Sequence, residues 1–410
     1  MKDNKEVYLV LLSVFALLIR SILFARIVVL YIIVLCFIWG RKEKSFVNPY
    51  FLFAATPLSL FIYVNVSNQY MLDLTFETWG IAIINMVAFV LALRHTSDFR
   101  LEKSCKGPSD NKLLLHTLIF ASIALFSSVM EYIMQRPFFL SSVLNLCSVP
   151  ALICAIKSKK KMLIIIVFLV FIVTSIGFLS KSFVLTYILA TIIGFEKYFI
   201  KNERQKKNVV ALTAVGMVLM VLSFTFANKD RGSRSAQDTV DYYTKYSDIE
   251  WNSPNALFMP YMYLTTPWAN LQYLMESQDE RTYGLWLFKP LLGYLQLDDN
   301  YKTEYRMRAY STFNTFTFIS TNFKDFGYWL SILSSLFLGF FVKKVYSRYR
   351  KSRSPLDVAC YVYVGLAVLE MFFSNEFFTQ SFPFTIIIIM GLYKLFFFNK
   401  SKPQLESNTY

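Results

Sequence analysis

Apolar runs of membrane-spanning length recur along the chain, separated by short polar connections, from Val7 almost to the C-terminus. The pattern predicts spans near 7–19, 25–39, 50–65, 78–93, 113–134, 139–156, 162–179, 183–200, 209–227, 325–342, 356–374 and 382–398. The runs are too long for barrel strands, which alternate over ~10 residues. Helices are then the way to satisfy every backbone donor and acceptor in lipid. The first run continues into further spans and lacks a small-residue cleavage site, so it reads as an anchor rather than a signal peptide. The expected fold class is an all-α polytopic membrane protein of about twelve transmembrane helices.

One connection is unlike the rest. Residues 228–324, 97 in all, lie between the ninth and tenth spans, and connections of that length are usually functional. The expected organisation is an N-terminal bundle over 1–227, a large extracytoplasmic loop over 228–324, C-terminal spans over 325–398 and a tail over 399–410. Within the loop, "LWLFKPLLGYLQL" (285–297) is apolar but too short to cross a bilayer, which predicts an interfacial or re-entrant segment. Prolines 254, 260 and 267 punctuate the stretch before it. A short helix follows them, with Leu271, Leu274 and Met275 at helical spacing.

Charge assigns the sides. The chain carries a net charge of +15, which alone would suit a nucleic-acid binder. Its distribution excludes that reading. The side bearing both termini and the loops "RKEK", "KSKKK", "KNERQKK" and "KKVYSRYRKSR" holds 28 Lys/Arg against 10 Asp/Glu. The opposite side holds 14 against 17. This is the positive-inside bias, so both termini are expected in the cytoplasm and the basic residues serve topology and anionic lipid. The five cysteines fall in spans or cytoplasmic loops, and both histidines, His95 and His116, flank one cytoplasmic loop. No disulfide is expected in the long loop, and no metal or cofactor site.

Candidate chemistry therefore concentrates outside. "NKDRGSRS" (228–235) sets Arg231 and Arg234 around Gly232 at the exit of the ninth span. Arginine suits bidentate phosphate recognition, and glycine admits close backbone approach to an anion. Arg281, Arg306 and Arg308 add to the cationic set. Asp73, Glu77, Glu131, Arg136, Lys181, Asp325, Glu370 and Glu376 sit at the outer ends of spans, where ionisable groups face a cavity or one another. Asn85 and Asn145 are isolated within spans and read as helix–helix glue. Aromatic residues interleave with amides in the loop, among them Tyr261, Trp268, Asn270 and Tyr273, a mixture suited to sugar faces and hydroxyls. A general base would have to be a carboxylate; Asp248, Glu250, Asp298 and Asp299 are equivalent candidates.

The architecture, with "YMYLTTPWANLQYL" (261–274) and "NTFTFISTNFKDFGYW" (314–329), resembles the bacterial oligosaccharide repeat-unit polymerases, the Wzy-type O-antigen and capsule polymerases. Asn314, Thr315, Thr317, Asp325, Phe326 and Gly327 match the family's Asn/Thr segment followed by Asp-Phe-Gly. Trp329 and Leu330 stand where many members have another glycine, and the Arg-x10-Gly pattern of some members is absent. The resemblance implies a GT-C-like, metal-independent glycosyltransferase of the bacterial plasma membrane. It would transfer a growing glycan from undecaprenyl pyrophosphate to the next lipid-linked repeat unit. On that reading Arg231, Arg234, Arg281 and Arg308 hold the pyrophosphates, and Tyr261, Trp268, Asn270 and Asn314 contact glycan. A chain-length regulator is an expected partner by analogy alone. The rivals are a flippase, which should show two related halves and no large cap, and an O-antigen ligase, which typically places a histidine in its loop.

Overall fold

The computed structural model describes residues 4–43, 45–66, 73–95, 110–134, 144–176, 181–200, 240–241, 244, 254, 257–277, 315–374, 386–387 and 391. Among them every regular element is helical. The helices are α1 (Lys5–Ile19), α2 (Ile22–Lys42), α3 (Pro49–Phe53), α4 (Ala55–Val66), α5 (Phe76–His95), α6 (Asp110–Met134), α7 (Ser148–Ser158), α8 (Lys161–Ile176), α9 (Lys181–Tyr198), α10 (Phe258–Glu276), α11 (Phe318–Lys351) and α12 (Pro355–Glu370). Four of these, α2, α5, α6 and α11, are long and apolar enough to cross a membrane. The bundle carries apolar side chains outward as well as inward: Leu18, Leu23, Phe126, Leu169, Leu333 and Phe337 are all exposed. Apolar residues on both sides of a helix layer are what a lipid-facing bundle requires. The helices are compatible with a multi-pass membrane protein.

The predicted spans map onto helices with instructive differences. The run 50–65 is broken at Ala54 into α3 and α4, and Asn48 caps α3 by accepting from the Phe51 N–H at 3.1 Å, with Pro49 at the first helical position. Of the run 139–156, residues 144–156 are described, and they enter α7 through turns at Leu146 and Cys147. The predicted spans at 209–227 and most of 382–398 fall outside the described residues, as do 228–239 and 278–314 of the long connection.

Helix α12 is the hub. Val358, Ala359, Tyr361, Val362, Val364, Ala367 and Val368 are all fully buried, so the helix is apolar on every side and enclosed by others. It packs on α3, α4 and α11 on one flank and on α7 and α9 on the other. It thereby joins the group α1–α5, α10 and α11 to the group α6–α9.

The most extensive helix pair is α5 with α11, and its seam explains why. Ser331, Ser335 and Gly339 recur every fourth residue on α11 and are buried. Asn85 of α5 donates to Ile81 O at 2.9 Å and Ser331 Oγ at 3.3 Å, and accepts from Ser335 Oγ at 2.6 Å. This places Asn85 as helix–helix glue, as its isolation in the sequence suggested. One turn further, a Cβ at Gly339 would lie 2.5 Å from Phe89 O and 2.7 Å from Ala92 Cβ. Small residues let backbones approach, and here the neighbour is backbone that cannot swing away.

At the basic end, Lys197 Nζ donates to Tyr349 O at 2.7 Å and Arg350 O at 3.0 Å, and Lys157 Nζ to Arg353 O at 2.8 Å. Lysines from other helices thus cap the last carbonyls of α11 and the residues just beyond it. Arg94 pairs with Glu6 at 3.0 Å and lies over the Trp39 ring, while Arg348 pairs with Asp357. Several basic residues of this end are therefore structural, beyond any service to topology.

Replacing Gly339 by Ala should force α5 and α11 apart at a cost of ~1–3 kcal/mol, the usual penalty for overpacking. The check is the thermal unfolding midpoint of detergent-purified protein, with Gly391→Ala as control, because an added methyl there meets nothing within 4 Å among the described residues. A midpoint for Gly339→Ala equal to the control's would contradict the close approach.

Candidate functional site

The non-basic end of the bundle gathers polar residues on three elements: the start of α5, helix α10, and the segment from Thr315 into α11. Helix α10 comes from the long connection, and it differs from the sequence expectation. The sequence predicted a short helix after the last proline; the observed helix begins at Phe258 and runs through Pro267. Pro260 falls in the first turn, where backbone N–H groups lack intrahelical partners anyway. Pro267 removes a donor from the interior, yet the flanking turns hold. Thr265 and Thr266 both return their hydroxyls to carbonyls four residues back, at 2.7 and 2.6 Å.

Four polar side chains fix α10 to its surroundings. Trp268, fully buried, donates its indole N–H to Ser59 Oγ at 2.9 Å. Ser59 lies seven residues before the end of α4, about 10 Å of helix at 1.5 Å per residue. The helix therefore reaches well below the end of the bundle. Asn270, also fully buried, donates to Thr315 O at 2.7 Å, and Thr266 meets Thr315 Oγ1 at 3.0 Å. Gln272 accepts from Thr75 N–H at 2.8 Å and Thr75 Oγ1 at 3.2 Å, and donates to Glu276.

The segment after Thr315 carries the Asp-Phe-Gly sequence. Thr317 caps α11 by accepting from Ser320 N–H at 3.1 Å, and Phe318 N–H donates to Met371 O at 3.0 Å, just past α12. The first turns of α11 then bury Asn322, Lys324 and Asp325, with Glu370 of α12 buried at the same end. Gly327 breaks the helix with φ 67° and ψ −160°, a conformation open essentially to glycine alone. The predicted span beginning at Asp325 is thus a short buried helix, a glycine break and a long helix. Beyond the break Tyr328 and Trp329 turn outward, Trp329 being 82% exposed, as interfacial aromatics do.

Of the charged residues predicted at the outer ends of spans, Glu77 pairs with Arg20, whose guanidinium also lies over Phe76. Both partners are largely exposed, and such pairs contribute little. Glu131 is buried and accepts from Asn145 Nδ2 at 3.0 Å, while Asn145 Oδ1 accepts from Ser128 Oγ at 3.0 Å. Asn145 is thus a second piece of helix–helix glue. Asp73 is exposed. Arg136, Glu376 and the Lys181 side chain lie outside the described residues.

Of the residues singled out for chemistry, Arg231, Arg234, Arg281 and Arg308 lie outside the described residues, with Asp248, Glu250, Asp298, Asp299 and Asn314. Tyr261, Trp268 and Asn270 are described and buried, and the polar atoms of Trp268 and Asn270 bond to protein groups. They position α10. Among the described residues no group of three His, Cys, Asp or Glu side chains could hold a metal ion. The sequence reading passed over Thr75 and Glu276, and took Gln272 only as one of the amides interleaved with the loop's aromatic residues. The signal was the polar i, i+4 spacing of Thr266 with Asn270 and of Gln272 with Glu276, two stripes on one helix. Comparison with protein-family models, curated proteins and solved structures returned no match.

Gly327→Ala should cost ~1–3 kcal/mol through backbone strain. Thermal unfolding of the purified variant reads it, and an unchanged midpoint would mean that the break tolerates a side chain.

Proposed function

We propose that the chain is a membrane glycosyltransferase that polymerises lipid-pyrophosphate-linked oligosaccharide repeat units at the outer face of a bacterial plasma membrane. The observation that carries the reading is the junction at Asp325-Phe326-Gly327. The residues that match the repeat-unit polymerases fall at the glycine break of α11, where buried polar groups collect. Thr315, part of the same resemblance, is held from two sides by α10. A polar assembly at one end of the bundle suits a substrate whose lipid lies in the membrane and whose sugars lie outside it. A transporter would need polar groups open to a path along the full depth of the bilayer, and among the described residues the buried Asn85, Ser331 and Ser335 bond to one another.

In this reading the arginines of the long connection stabilise the pyrophosphate as charge develops on it, with no metal required. Arg231, Arg234, Arg281 and Arg308 are the proposed set. Trp268 and Asn270 serve the glycan indirectly, by fixing the helix that borders it.

The test is an electrophoretic profile of surface glycan from the native host with the gene deleted and then restored. The expected result is a ladder that collapses to one repeat unit on its acceptor and returns on complementation. Loss of the single unit as well would overturn the reading. Outward-facing accumulated chains would then indicate a ligase, and units trapped inside would indicate a flippase.

A further inference from the structure

We infer that Glu276 is the general base that activates the acceptor hydroxyl, and that Gln272 and Thr75 hold its carboxylate in place. The inference rests on the polymerase reading and adds to it the residue at the reacting oxygen.

Seven carboxylates of the described residues lie at this end of the bundle or in the long connection, and their surroundings separate them; Asp241 is exposed but belongs to none of the twelve helices. Asp325 and Glu370 are at most 1% exposed, which keeps them from a bulky sugar. Glu131 is buried against Asn145, and Glu77 is neutralised by Arg20. Asp73 is exposed but has no hydrogen bond among the described residues to orient it. Glu276 alone of the seven is exposed, carried on one of the twelve helices and held by an uncharged donor.

The way it is held matters. Gln272 is fully buried, and its carbonyl accepts from both the backbone N–H and the hydroxyl of Thr75. Two donors on one oxygen settle which way the amide points, so its NH2 must face Glu276. The Thr75 backbone precedes α5 by one residue, which ties the carboxylate to a rigid span and not to a loop. One carboxylate oxygen takes the amide donor, and among the described residues the other remains for a ligand. Tyr273, one turn back on the same helix face, is exposed and offers a ring on which a sugar can stack.

The step balances without a co-reactant. The acceptor hydroxyl oxygen attacks the anomeric carbon of the donor glycan, forming a C–O bond as the bond to pyrophosphate breaks. The leaving lipid pyrophosphate takes the electron pair, and the hydroxyl proton passes to Glu276 and then to water. The acceptor is an uncharged sugar hydroxyl, which a neutral-pH carboxylate must strip during attack, the ordinary task of a general base.

The experiment uses membrane vesicles from the deletion host carrying wild-type protein, Glu276→Gln, Glu276→Asp or Gln272→Glu. The substrate is lipid-linked repeat unit extracted from that host. Wild-type vesicles should lengthen it; if they do not, the polymerase reading fails. With Glu276→Gln, turnover should fall ~10²–10⁴-fold, the usual share of general-base catalysis, with KM little changed. Glu276→Asp should recover part of it. Gln272→Glu keeps an acceptor for Thr75 but, when ionised, removes the donor to Glu276, so kcat per folded protein should fall while KM holds. Wild-type activity in Glu276→Gln beside an active wild type would overturn the inference and leave the polymerase reading standing. Should Glu276→Gln fail to accumulate, the near-isosteric Gln272→Glu decides, and an unchanged kcat in that variant overturns it.

Discussion

A polar group inside a helical membrane bundle has no water to turn to, so a partner within the bundle stabilises it most. That constraint organises this molecule. Asn85 has Ser331 and Ser335, Asn145 has Glu131 and Ser128, Trp268 has Ser59, Asn270 has Thr315, and Gln272 has Thr75 and Glu276. Each bond of this kind contributes only ~0.6–2 kcal/mol in a membrane. Together they fix register and orientation where apolar packing would allow sliding.

The same bonds bring the long connection into the bundle. A cap resting on the membrane would leave its sites on loops, whereas α10 is anchored to α4, to the start of α5 and to the residues that open α11. The glycine break then lets α11 change course directly after Asp325 without giving up the buried turns before it. The result is a group of polar residues carried on rigid elements at one end of the bundle. Rigid support of this kind is what positions a reacting group to within a fraction of an ångström.

Much of the helical layout could be read from hydropathy. The spans at 25–39, 78–93 and 113–134 appear as the long helices α2, α5 and α6, because twenty apolar residues in lipid have few alternatives. Helix α10 was harder to read, since prolines 260 and 267 signal breaks and its composition is that of an interface. Its threonine hydroxyls compensate locally, an effect that no propensity anticipates. The break at Gly327 was visible only as a motif, for a glycine in an apolar run carries no mark of its φ. The pairing of Gln272 with Thr75 joins residues 197 positions apart and depends on tertiary placement alone.

The most direct test of the account is reconstitution. Purified protein in liposomes, given lipid-linked repeat units and no other protein or metal, should produce chains of two or more units and release the lipid pyrophosphate in proportion. Units that stay single while the protein remains folded in the liposome, by unchanged unfolding temperature, would contradict it.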